Sequence, residues 1–183
     1  MTAPIELHGH RTRLREFGPG DLDAVHGIVG DDRVTRFLSF DSRSQDQAED
    51  MLAGILKRTQ DDPRTEYYLA ITPADTGELV GFARLALGGV QAAKLGYAIA
   101  HGHQGKGYAT DAVRTMLGFA FGVLGLHRVT TAIGPDNTAS IAVVQRVGFT
   151  REGVLRDHVH TNGAWRDSVL FSLLATEWQG HNG

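Results

Sequence analysis

The sequence contains no cysteine. Disulfides, thiolate nucleophiles and cysteine-based zinc sites are therefore excluded, and a secreted disulfide scaffold with them. No apolar run approaches the roughly 20 residues needed to cross a bilayer. Met1 to His10 lacks the basic-then-apolar order of a secretory leader. An excess of positive charge is missing too: 18 Lys and Arg stand against 21 Asp and Glu, a formal net charge of −3. That leaves no basic field to draw the chain to nucleic acid. These absences predict a cytoplasmic protein with no membrane partner and no direct nucleic-acid partner.

What is present is an ordinary globular composition, 42% hydrophobic and 21% charged. A chain of 183 residues is long enough to bury one substantial core and short for two. No repeat, low-complexity tract or linker divides it. The expectation is one domain over 1–183 with a core from about 11 to 178.

The patterning predicts a mixed α/β fold. Arg11 to Phe17 alternates as a strand, and Leu22, Val25, Ile28 and Val29 mark a short helix. Ser44 and Gln47 form a capping-box pattern ahead of Ala48, Met51, Leu52, Ile55 and Leu56, which share one helical face. Three strands follow at 66–72, 79–87 and 92–100, the first two joined by a turn at Asp75-Thr76-Gly77. Ala109 to Leu124 carries the best helical periodicity, with Gly125 as its C-cap. Val129, Thr131 and Ile133 alternate as a strand, and a helix opens after Asn137 and closes at Gly148. Phe149–His160 and Trp165–Leu174 flank Asn162-Gly163, a hairpin signal. The sheet is expected to be antiparallel in its first half, to have a parallel splayed central pair and to end in a C-terminal hairpin, with about four flanking helices.

Between the strand at 92–100 and the long helix lies Gln104-Gly105-Lys106-Gly107-Tyr108-Ala109. A glycine loop opening a helix presents unpaired N–H groups to an anion, and two glycines let the backbone approach it closely. The Walker pattern needs Gly-Lys-Ser/Thr, and here Gly105-Lys106 is followed by Gly107. The dinucleotide fingerprint needs a third glycine where Thr110 stands. On these residues alone, a phosphate cradle and a tight turn both remain open.

The loop fits the Gln/Arg-x-x-Gly-x-Gly/Ala signature of the GNAT superfamily of N-acetyltransferases. Asn137-Thr138-Ala139-Ser140, Val147-Gly148-Phe149 and Glu152-Gly153 resemble the second half of that family. Thr12-Arg13-Leu14-Arg15 is a typical opening of its ribosomal-protein N-terminal acetyltransferase branch. The resemblance spans nearly the whole chain, from Thr12 to Trp178. It implies that acetyl-coenzyme A is the acyl donor. The pyrophosphate would be held by Gln104, Gly105, Lys106, Gly107, Tyr108 and Ala109, and the pantetheine arm would lie along Tyr97, Ala98 and Ile99. Asn137 matches an asparagine that contacts the pantetheine region, and as an N-cap it could do both.

In the family the amine attacks the thioester directly. Such a transfer needs a neutral amine, a stabilised oxyanion and a proton for the leaving thiolate. The resemblance points to Ser140 as the thiol contact. A capping role within its own helix is the alternative. A backbone N–H within 97–99 would polarise the carbonyl. Many relatives carry an acid near the start of the strand before the loop, where this chain has Ala93-Lys94-Leu95, so no strong base is evident. His158 and His160 are candidates to act on the acceptor side, or exposed strand residues. An α-amine with pKa 7.7–8.0 is roughly 10–15% neutral at pH 7, against about 0.04% for lysine. A protein N-terminus is therefore the favoured acceptor. A small-molecule amine, and a non-catalytic coenzyme A-binding module, stand as alternatives. The steps His101/His103 and His158/His160 lack clustered acidic ligands, so no metal is expected. Asp111 is read as support for the helix dipole. The chain is expected to act as a monomer or homodimer.

Overall fold

The computed structural model describes residues 4–180. Its eight strands are β1 (Glu6–His8), β2 (Thr12–Glu16), β3 (Glu66–Pro73), β4 (Gly81–Leu87), β5 (Ala92–Ile99), β6 (Arg128–Ile133), β7 (Thr150–Thr161) and β8 (Ala164–Leu174). They form one sheet in the order β1-β2-β3-β4-β5-β6-β8-β7. Neighbours from β1 to β5 are antiparallel, β5 and β6 are parallel, and β8 runs antiparallel to both β6 and β7. The helices are α1 (Leu22–Val29), α2 (Asp32–Thr35), α3 (Gln45–Arg58), α4 (Tyr108–Gly122) and α5 (Thr138–Val147). The expected mixed single-domain architecture is the one observed, with one-turn α2 and three-residue β1 added to it.

Each face of the sheet buries its own core. Tyr67, Leu69 and Ile71 of β3 pack with Leu14, Leu85, Met116, Leu117 and Phe171 on the α4 side. Tyr68 and Ala70, which alternate with them, pack with Phe17, Val25, Ile28, Leu52 and Ile55 on the α1–α3 side. This two-residue alternation puts apolar side chains on both faces, so β3 reads as a continuous apolar run. A fully buried leucine such as Leu69 or Leu117 contributes about 2 kcal/mol.

Local chemistry sets the helix ends. At α3, Gln47 N donates to Ser44 Oγ at 3.2 Å and Ser44 N to Gln47 Oε1 at 3.0 Å, the reciprocal cap the sequence signals. α4 ends earlier than its periodicity predicts. The helix stops at Gly122, and Val123 beyond it is 72% exposed rather than part of the buried face. The chain then folds back, with Leu124 N donating to Phe119 O and Leu126 N to Ala120 O. Leu126 is thereby returned to the core.

Candidate active site

β5 and β6 hold together only over Ala92–Lys94 against Arg128–Thr130. Beyond that the strands part, and β6 is paired to Ile133 only on its β8 side. β5 stays bonded to β4 up to Ile99, and Ala100 N donates to Val80 O on that side. Backbone groups alternate along a strand, so the amides of Tyr97 and Ile99 turn toward the gap. A cleft of about 410 Å³ opens there. α4 and α5 flank it, and Val34, Phe37 and Leu38 close its far side.

Gly105 and Gly107 have φ of +75° and +82°, in the left-handed region where a side chain is strained. Gly107 is the N-cap of α4, and both glycines line the cleft. The helix N-terminus and its left-handed turn therefore offer N–H groups at the cleft wall, a cradle suited to a diphosphate. Gln104 lines the same wall, but its Nε2 donates to Ile99 O at 3.1 Å and so ties the loop to the strand end. Lys106 is exposed and does not line the cleft. Its carbonyl accepts from Arg11 Nη1 at 3.4 Å, so a second cation, not evident from the motif, lies against the loop.

Tyr97, Ala98, Ile99, Tyr108, Ala109, Asn137 and Ser140 all line this cleft. Asn137 Oδ1 accepts from Ser140 N at 3.2 Å, so Asn137 is the observed helix cap. The Ser140 hydroxyl has no protein partner among the described residues. The Tyr97 hydroxyl donates to Ser140 O at 3.2 Å across the gap. Burial pushes the Tyr97 hydroxyl up to about 12 against the opposing effect of that bond, so it stays protonated at neutral pH.

The two hairpin histidines are not brought to the cleft. β7 is irregular between Leu155 and Val159, and Asp157 has φ +48°, so the regular strand expected there is interrupted. His158 Nδ1 lies 3.0 Å from Ser168 Oγ, and the His160 ring packs edge-on against Trp165 at 5.0 Å. Among the described residues no group of three or more His, Asp or Glu could hold a metal.

Sequence reasoning missed Arg146, Val143 and Ala139, which face the cleft from α5. Their spacing of four and three was legible as a helical face. Nothing in the sequence said which surface that face meets. Val34, Phe37 and Leu38 carry no motif and enter the cleft only through tertiary packing.

The family model described as "Acetyltransferase (GNAT) domain" matches residues 11–150. The N-acetyltransferase p20 of Bacillus licheniformis is 28% identical over 177 residues, covering 95% of this chain and 98% of that protein. The [ribosomal protein uS5]-alanine N-acetyltransferase of Escherichia coli is 30% identical over 115 residues, 61% of this chain and 59% of that enzyme. Among solved structures, Mycobacterium smegmatis RimJ in complex with CoA-disulfide superposes with a TM-score of 0.82 at 26% identity, covering 96% of this chain and 88% of that one. With the open strand pair and the glycine-capped helix, these matches show that the chain belongs to the GNAT acetyltransferase family and is an N-acetyltransferase that uses acetyl-coenzyme A.

Proposed function

We propose that the acceptor is the α-amine of a protein or peptide N-terminus. The observation that carries this reading is the lining of the cleft. Its far wall is Val34, Phe37 and Leu38, and among the described lining residues there is no carboxylate. A polyamine or aminoglycoside would bring several cations to a wall with no anion to pair them, a costly desolvation. A peptide brings one amine that is partly neutral at pH 7, followed by a chain that suits an apolar wall.

In this reading the pyrophosphate lies at Gly105–Ala109 and the pantetheine arm along Tyr97–Ile99. The amine nitrogen forms its bond to the thioester carbonyl carbon while an amide of Tyr97 or Ile99 holds the carbonyl oxygen. The carbon–sulfur bond breaks, and the Ser140 hydroxyl donates a proton to the leaving sulfur. The proton lost by the amine restores the balance through solvent. The second half of the resemblance supports Ser140 in this role, as does its unpartnered hydroxyl.

Thiol release from acetyl-coenzyme A tests the proposal on a panel of N-terminal peptides, spermidine and aminoglycosides. Peptides are expected to exceed the polycations in kcat/KM by about 100-fold or more. Equal or better turnover of a polycation overturns the proposed acceptor. Binding of acetyl-coenzyme A with no thiol release from any amine overturns catalysis itself.

A further inference from the structure

The end of the β7–β8 hairpin grips the segment that forms the far wall of the cleft. Arg166 on β8 donates Nη1 to Arg36 O at 2.5 Å and Nη2 to Leu38 O at 2.7 Å. At the hairpin turn, Asn162 N donates to Asp41 Oδ1 at 2.7 Å. The far end of the segment is closed by a bond between Thr35 Oγ1 and Ser42 Oγ at 2.5 Å, with Ser42 donating in turn to Asp32. Two carbonyls two residues apart, held by one planar guanidinium, fix the backbone between them, and the residue between them is Phe37. Phe37 and Leu38 face the cleft that Tyr97 and Ser140 line from the other side. Arg166 itself does not line the cleft.

We infer that Arg166 is a positioning residue for the acceptor: it sets the Phe37–Leu38 wall against which the acceptor chain lies, and leaves the donor site alone. This deepens the N-terminal amine reading and rests on it. The selectivity of the cleft is then set partly from the hairpin, through two backbone carbonyls. A lysine at 166 could not reproduce this, because its single ammonium lacks the fixed fork.

The test compares the full chain with Arg166→Ala, Arg166→Lys and Asp41→Ala, using the best peptide of the panel. For Arg166→Ala the acceptor KM is expected to rise about tenfold while the acetyl-coenzyme A Kd moves less than about twofold. Arg166→Lys restores only part of the loss. Asp41→Ala, at an exposed position, raises the same KM by a smaller factor and keeps the test open should Arg166→Ala fail to fold. Hydrogen exchange gives a readout besides activity. The amides of Arg36, Phe37, Leu38 and Arg43, all hydrogen-bonded to backbone carbonyls, should exchange faster in Arg166→Ala while those of β5 and α4 do not. An unchanged acceptor KM, or a parallel rise in acceptor KM and acetyl-coenzyme A Kd, overturns the inference. So does unchanged exchange at 36–43. Should the wild-type protein acetylate no peptide, the acceptor reading fails on that result alone. Exchange in the variants, and the KM of whichever amine is taken, then support the clamp or overturn it.

Discussion

At the scale of single residues, the structure separates groups that the motif lists together. Asn137 and Ser140 both match the family, yet the Asn137 side chain caps α5, while the Ser140 hydroxyl has no partner among the described residues. Ser140→Ala should therefore lower kcat by roughly 100-fold or more, as loss of a proton donor does. It should change acetyl-coenzyme A affinity little, and stopped-flow turnover with calorimetric titration would measure the two. An unchanged kcat removes Ser140 from the chemistry. The cation at the glycine loop shows the opposite case. Lys106 is legible in sequence but points to solvent, whereas Arg11, distant in sequence, reaches the loop carbonyl. The histidines were legible as residues but not as neighbours, because the irregularity around Asp157 that decides their surroundings leaves no local signature.

At the scale of elements, the start of α4 is held by one carboxylate. Asp111 accepts from the amides of His10, Arg11 and Thr12 at 2.9–3.1 Å and from Thr12 Oγ1 at 2.7 Å. It does more than support the helix dipole: it docks the β1–β2 turn on α4, and through Arg11 it braces the glycine loop. Glycine is required at position 9, where a Cβ would lie 2.3 Å from Asp111 Oδ2. Asp111→Ala leaves four donors without their acceptor and should cost about 3 kcal/mol, read as a lower midpoint in urea. A midpoint within error of the wild type would show that water replaces the carboxylate freely. Periodicity locates α4 but not its end, because an apolar residue after a helix end looks the same as one inside it. Val123 is exposed, while Leu126, further on, is buried.

At the scale of the whole molecule, buried and half-buried carboxylates set the response to acid. Burial alone would raise Asp21, Glu66 and Asp111. Hydrogen bonds and charges outweigh it: Arg15 and the Gly18 amide at Asp21, Arg84 and Arg58 at Glu66, and Thr12 with three backbone amides at Asp111. All three lie below their ordinary values in the folded chain. A group depressed by folding stabilises above its unfolded pKa, and that stability is lost as pH falls through the folded value. Thermal melts should therefore show little contribution from these groups to any change between about pH 7 and 5, and a falling midpoint below about pH 4. A midpoint that stays level to pH 3 would mean these carboxylates titrate alike in the folded and unfolded chains. The three partnerships span different layers, from the turn that leads into α1 to β3 and α4, so the loss should be cooperative.

The sequence by itself determined the main elements and their faces, though not β1, α2 or the end of α4, because periodicity, caps and turn glycines act over a few residues. It also determined the family, because the glycine loop, Asn137, Ser140 and Gly148-Phe149 recur at fixed spacing. Only the tertiary structure decided where β5 and β6 part, since a strand's alternation does not name its partner. The same holds for the wall opposite Ser140. Phe37 and Leu38 carry no motif, and Arg166 reaches the carbonyls of Arg36 and Leu38 from a strand 128 positions beyond Leu38. Carbonyl contacts of that kind depend on the path of the chain, and side-chain identity at positions 36 and 38 does not encode them.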